Sequence, residues 1–283
     1  MNSVLKESPP SMTRRSRFDI ALLASRWRYY LFSIPTILLN IRNWLGVLGI
    51  FVGVPVRRPL LVRLRTGERF WVSTAMDVWI LKESCLDRFY EKDGTIVQDG
   101  WNVIDIGAGM GDFAVSVALR CPKSTVYAFE PFPESFAKLN DHRELNGTPN
   151  VHAFREALAG TAGSVRVYSV TGVSGQNLTG TRNDAEGVET PATTLDELFT
   201  RLKLTHCDFL KIDCEGAEYE IMFHATADTL RRIRHISMEY HDGVTSHSHG
   251  ELRAFLERHG FRVQVRGNAA HRNLGYLYAT NAR

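Results

Sequence analysis

An α/β fold is what this chain predicts: an open sheet with a ligand at the carboxyl ends of its strands, preceded by a helical and hairpin extension. Three observations predict it. VIDIGAGMGDF (Val103–Phe113) reads as a strand, a turn carrying Gly107, Gly109 and Gly111, and the start of a helix, FAVSVALR. Glycines let the chain turn sharply and let a ligand lie against main-chain N–H groups at a helix N-terminus. The next apolar run, STVYAFEP (Ser124–Pro131), ends at Glu130, and an acidic residue about 20 positions after such glycines is placed to accept from ribose hydroxyls. Two later runs also end in acid: CDFLKIDCEGAEYEIM (Cys207–Met222) at Asp213, with Glu215, Gly216 and Glu218 opening a helix, and ISMEYH (Ile236–His241).

Taken in order, the first residues differ from the rest. Residues 1–17 are polar, basic and proline-containing, and read as a disordered tail. From Phe18 to Val56 the chain is rich in Leu, Ile, Trp and Phe, broken at Pro35. Arg42, with Asn40 and Asn43 alongside, leaves two uncharged pieces shorter than the roughly 20 residues of a spanning helix. Helices docked on the main domain are the preferred reading; an interfacial helix with arginines at headgroup level is the alternative, which would bring peripheral membrane contact. The twin arginines Arg14 and Arg15 suggest an export signal, but no suitable apolar core or cleavage site follows closely. LLVRLRTGERFWVS (Leu60–Ser73) alternates about a Thr-Gly turn, the pattern of a β-hairpin, and Asp77–Tyr90 reads as a helix. Residues 18–95 therefore form a cap of helices and hairpin, and 96–283 the ligand-binding domain.

Beyond the glycine turn, NVHAFREALAG (Asn150–Gly160) reads as a third strand with a polar exit at Arg155 and Glu156, followed by the strand-like SVRVYSV (Ser164–Val170). Thr171–Thr190 is rich in Gly, Thr and Asn. A loop that long inside a domain is usually functional or mobile, and it reads as an acceptor-side lid bearing Gln176 and Asn177. ELRAFLERHGF is an amphipathic helix closing at Gly260, and FRVQVRG and GYLYAT form an antiparallel hairpin that completes the sheet.

The glycine spacing, G-A-G-M-G with Asp105 directly before it, separates the candidate ligands. A dinucleotide site usually spaces its glycines G-x-G-x-x-G, and a carboxylate before the turn repels a pyrophosphate but suits an ammonium group. S-adenosylmethionine carries one. No G-x-x-x-x-G-K-[ST] sequence occurs. Side chains alternate across a strand, so Glu239 and His241 share one face and Met238 and Tyr240 the other. Asp105, Glu130, Asp213 and Glu239 converge at the carboxyl edge of the sheet.

VIDIGAGMGDF, VYAFEPFPESF, TTLDEL, FLKIDCEGAEYEI and ISMEYH together resemble the FkbM family of methyltransferases, over about Trp71 to the C-terminus. KIDCEGAE (Lys211–Glu218) is the most specific part. The resemblance implies a Rossmann-like, seven-strand class I methyltransferase sheet, S-adenosylmethionine as cofactor, and O-methylation of a sugar, glycan or natural product. It implies that residues before the domain lie over the cofactor pocket. It implies cofactor contacts at Asp105, Gly107, Ala108, Gly109, Gly111, Phe113, Glu130 and Pro131. Asp213 and Glu215 become the acidic mouth between cofactor and acceptor.

A hydroxyl acceptor gains from a base that removes its proton. His241 is the first candidate, because neutral imidazole acts near pH 7; Asp213 and Glu239 are alternatives if a dry site raises their pKa values. Glu156 has two readings, accepting from the adenine amine or pairing with Arg155. Asp213, Glu239 and His241, with His247 and His249 nearby, are also a conceivable divalent-metal set, though loop histidines are more often solvated. Nucleic acid is a poor acceptor: the net charge of +3 falls short of a nucleic-acid footprint, and a doubly acidic rim repels phosphates. Cys85, Cys121, Cys207 and Cys214 form no C-x-x-C pair, which suits free thiols in a reducing, cytoplasmic setting.

Overall fold

A computed structural model describes residues 33–54, 57–169, 177–179, 187–268 and 273–282. The expected tail, the first part of the helical extension and Gln176 lie outside the described residues. Residues 33–40 are helical, and α1 (Trp44–Phe51) follows. The hairpin is present: β1 (Leu60–Arg63) pairs antiparallel with β2 (Arg69–Val72), Leu60 opposite Val72.

The helix expected over Asp77–Tyr90 is instead three pieces. A capping box, Thr74 against Asp77, opens α2 (Ala75–Leu81), which loosens into a π-turn at Lys82–Leu86. Arg88 then adopts a left-handed φ of 51° before α3 (Phe89–Lys92). Such widened turns recur at functional sites, and Glu83 and Ser84 of this one face the cavity described below.

The domain proper runs β3 (Asn102–Ile106), α4 (Asp112–Arg120), β4 (Thr125–Phe129), α5 (Pro133–Asn146) and β5 (Val151–Phe154). After β6 (Ala157–Leu158), β7 (Gly163–Ser169), β8 (Asn177–Thr179) and β9 (Val188–Thr193) come α6 (Leu195–Arg201) and β10 (Cys207–Ile212). The chain closes with α7 (Glu218–Phe223), α8 (Ala227–Arg231), β11 (Ile233–His241), α9 (His249–Arg258), β12 (Phe261–Gly267) and β13 (Leu274–Asn281). Seven strands make one sheet in the order β12-β13-β11-β10-β3-β4-β5. The five from β11 to β5 are parallel, and β13 is antiparallel to both β11 and β12. All six residues of β10 are buried, as expected of a central strand covered on both faces. Strand order reverses between β3 and β10, and ligands of open sheets bind at such a switch point.

One apolar layer contains Ile104, Ile106, Phe129, Ile212, Tyr219 and Leu252. The opposite layer contains Val103, Phe113, Ala128, Leu139 and Phe209. The segment expected as a loop, Thr171–Thr190, is partly sheet. β8 and the start of β9 lie in it, within a four-stranded sheet ordered β6-β9-β7-β8.

The hairpin and α2 bury Val62, Phe70, Val72 and Leu81 against Met110 and Val115 of the domain. His142 fastens that contact. Its Nδ1 lies 2.8 Å from the Met110 carbonyl, and its Nε2 accepts from the Trp71 amide at 2.9 Å. Burial lowers the His142 pKa, and the two partners fix the neutral tautomer with its proton on Nδ1.

Candidate active site

A cavity of about 470 Å³ opens at the carboxyl ends of β3, β4, β10 and β11, within the size range of small-molecule sites. Gly107, Gly109, Glu130 and Pro131 line it on one side and Asp213, Glu215, Glu239 and His241 on the other, with Met76, Trp79 and Ile80 of α2 alongside.

The turn explains itself through packing. Gly107 has a φ of +72°, and a Cβ there would lie 1.7 Å from the Asp213 carbonyl oxygen, so only glycine lets β3 and β10 close up. Gly111 (φ +83°) sits behind the turn, where a Cβ would press on Leu139 at 3.1 Å. Glu130 crowns β4 and accepts from the Gly109 amide at 2.8 Å and the Phe132 amide at 2.9 Å. Burial pushes its pKa up to about 7 against the pull of those amides.

Several expected contacts sit elsewhere. Asp105 is fully buried beneath the turn, 2.9 Å from the Lys211 ammonium, which also donates to the Gly107 carbonyl at 2.6 Å. Strand alternation points Asp105 into the layer behind the cavity, where it braces the turn without lining the cavity. Ala108 is buried in that same layer, and Phe113 packs there between Tyr90 and Phe209. Glu156 lines the cavity, and its ion-pair partner is Arg201 in place of Arg155. Arg201 grips it with two hydrogen bonds, of 2.9 and 2.5 Å. Asn177 lies on β8.

His241 requires the largest correction. Its Nδ1 lies 3.1 Å from Glu218, its Nε2 3.3 Å from Glu215, and its own amide donates to Glu218 at 2.8 Å. Burial alone would lower the imidazole pKa, but the Glu218 bond and the charges of Glu218, Asp213 and Glu215 push it up to about 10. The ring is therefore a cation at neutral pH and cannot serve as the neutral base expected of it. Glu215 reaches it from a left-handed backbone (φ 53°), a conformation that costs a non-glycine residue about 1–2 kcal/mol. Burial, then the Asp213 charge, raises Glu215 to about 7. The same two causes hold Glu239 well above the usual carboxylate range, with His241 pulling it down.

Four residues had no role in the sequence reading. Tyr90 donates to Asp213 at 2.7 Å, and its ring lies 5.0 Å beneath the Lys211 ammonium. Glu218 is fully buried under His241. Arg201 holds Glu156. Lys211 did leave a signal, being a charge inside an apolar strand, and such a residue is buried only with partners.

Among the described residues, Asp213, Glu239 and His241 bring possible metal-ligand atoms within 4.8 Å of one another. A metal ion there would have to displace Glu215 from the imidazole. His247 lies 3.5 Å from Glu220, and His249 lies 2.5 Å from Asp242, so each has its own acidic neighbour.

Residues 105–263 match the family model of the Methyltransferase FkbM domain. The chain belongs to the FkbM methyltransferase family. Its seven-stranded sheet is the class I methyltransferase fold, and family and fold together imply S-adenosylmethionine as methyl donor. AMB antimetabolite synthetase AmbE of Pseudomonas aeruginosa is 27% identical over 234 residues, 68% of this chain but 11% of that protein. The 31-O-demethyl-FK506 methyltransferase FkbM of Streptomyces tacrolimicus is 27% identical, across 65% of this chain and 82% of its own. Hexuronic acid methyltransferase AglP of Haloferax volcanii is 24% identical, across 67% and 77%. The crystal structure of methyltransferase FkbM from Methylobacillus flagellatus superposes with a TM-score of 0.49 at 14% identity, covering 68% of this chain and 46% of that one.

The donor set suits that cofactor. Glu130 offers a carboxylate to ribose hydroxyls, and Asp213 and Glu215 offer negative charge to an ammonium and a sulfonium. Ile106, Phe129 and Leu158 supply apolar wall for an adenine.

Proposed function

We propose that this FkbM-family protein methylates a hydroxyl group of a sugar, glycan or natural product. The observation that carries the reading is the carboxylate cluster Asp213, Glu215 and Glu239 on the cavity wall opposite Glu130. Carboxylates accept hydrogen bonds from a polyol and repel phosphates, so the wall favours a hydroxylated acceptor over nucleic acid. The similarity to a 31-O-demethyl-FK506 methyltransferase and to the hexuronic acid methyltransferase AglP supports it.

S-adenosylmethionine, when bound, supplies an activated methyl group for a single in-line displacement. The chain's share is to align the acceptor, exclude water and take one proton. Glu239 is the base we assign. It faces the cavity beside Asp213 and His241, and burial makes it a stronger base than an ordinary carboxylate. Asp213 is held by Tyr90 and orients the acceptor. His241, as an imidazolium, keeps three neighbouring carboxylates from repelling one another. The N-terminal α2 and π-turn wall the site from solvent.

Calorimetric titration with S-adenosylhomocysteine tests the pocket, followed by a screen of hydroxylated glycans and natural products with mass and NMR analysis of the methylated atom. Glu130→Ala is expected to weaken binding at least tenfold. Glu239→Gln is expected to leave binding intact and lower kcat by about 10²–10⁴. A folded wild-type protein that binds no S-adenosylhomocysteine overturns the reading, as does methylation confined to nitrogen or carboxyl acceptors.

A further inference from the structure

The cap carries an apolar face that none of the described residues covers. α1 has the sequence WLGVLGIF, without one polar side chain. Val47 and Ile50 turn inward and pack with Ile41, Val62 and Phe70. On the other side Leu45 is 68% exposed and Val52 64%, with Leu48 and Phe51 also open; Leu39, from the preceding helical stretch, is 70% exposed. A helix apolar all round is normally buried, and a contiguous apolar patch on a protein surface marks an interaction site.

The charges around this face select the partner. Between residues 33 and 76 the arginines are all exposed, and the single acidic residue, Glu68, is buried. Arg42 and Arg63 are joined by a backbone hydrogen bond at the start of α1. Arg57 and Arg58 lie just past its end and are both exposed. Exposed leucines on a helix with arginines beyond both of its ends are what an interfacial element presents to a membrane, apolar side chains at the acyl boundary and guanidinium groups at the phosphates. Among the described residues no helix is long and apolar enough to cross a membrane.

We propose that this face docks on an anionic lipid bilayer surface. Phe51 is exposed on it and also lines the active-site cavity, together with the exposed Met76 of α2. Docking therefore sets the mouth of the site at the headgroup layer, where an acceptor held by a lipid anchor would present its hydroxyls. The surface is independent of the chemistry proposed above, and binding to it is measured without any acceptor.

Co-sedimentation of the full chain with vesicles tests the proposal, using phosphatidylcholine alone and a 7:3 mixture (about a third anionic) with phosphatidylglycerol. The wild type is expected to bind the mixed vesicles and to be released by high salt. Leu45→Glu with Leu48→Glu, which line no part of the cavity, is expected to weaken binding at least about tenfold. Arg57→Ser with Arg58→Ser removes only charge; it is expected to weaken binding to mixed vesicles about tenfold or more, and it keeps the test decisive should the glutamate pair fail to fold. A folded wild type that ignores the mixed vesicles overturns the proposal, and so does binding that neither variant weakens. A wild-type dimer that the glutamate pair converts to monomer, with no vesicle binding, assigns the face to a second copy of this chain instead.

Discussion

Replacing His241 by glutamine removes a buried cation from among three carboxylates, and its consequence for stability depends on pH in a way that can be worked out. The imidazole has an ordinary pKa of 6.5 and one of about 10 in the folded protein. A base whose folded pKa is raised stabilises the fold fully below its unfolded value and loses that contribution as pH rises through the folded one. The window for His241 is thus pH 6.5 to about 10. His241 is almost entirely buried, so solvent screening takes little from the effect. At about 1.36 kcal/mol per pH unit, the wild type should lose about 2.5 kcal/mol more than the variant between pH 7 and 9. At pH 7 the variant should be less stable by about 3–5 kcal/mol, since Glu218 is left without its cation. Urea denaturation of both proteins at pH 7 and pH 9 measures this directly. Parallel pH profiles for the two would refute the imidazolium assignment and return His241 to candidacy as a base.

Two other expectations concern the cofactor pocket and its turn. An ionised Glu130 is the stronger acceptor for the ribose hydroxyls we assign to it, and its pKa of about 7 means that affinity for S-adenosylhomocysteine should fall by up to about tenfold from pH 8 to pH 6; a flat calorimetric profile over that range would remove Glu130 from the contact. Gly107→Ala combines a left-handed backbone with a Cβ driven onto the Asp213 carbonyl and should cost about 2–5 kcal/mol by thermal or denaturant unfolding. Gly109→Ala, whose Cβ meets nothing nearer than 3.9 Å, should cost about 1–2 kcal/mol; equal losses would show that close packing against β10 is not what requires Gly107.

The parts of the fold that were legible are those with a local signal. The Thr66-Gly67 turn between alternating strands announced the hairpin, and the largely apolar run before Asp213 announced the strand β10. Period-two alternation placed Glu239 and His241 on the cavity face, with Met238 and Tyr240 in the core. The misreadings arose where distant residues intervene. The Asp77–Tyr90 helix is interrupted because Arg88 turns left-handed and the chain must bring Tyr90 over Asp213. The expected lid is partly sheet because β8 and β9 find β7 as a partner. Asp105 and Phe113 flank the glycine turn in sequence, yet both face the layer behind it.

Residue order by itself determined the α/β class, the glycine turn, the acids at the strand tips and the family, because periodicity, turn chemistry and motif spacing are properties of neighbours along the chain. Only the tertiary structure decided the charge states and the partners. Lys211 sits under the turn because β3 and β10 lie side by side. Tyr90 meets Asp213 across 123 positions, and His241 is a cation because α7 carries Glu218 beneath it. A pKa is set by burial and by the charges within a few ångströms, and those come from segments that only folding brings together.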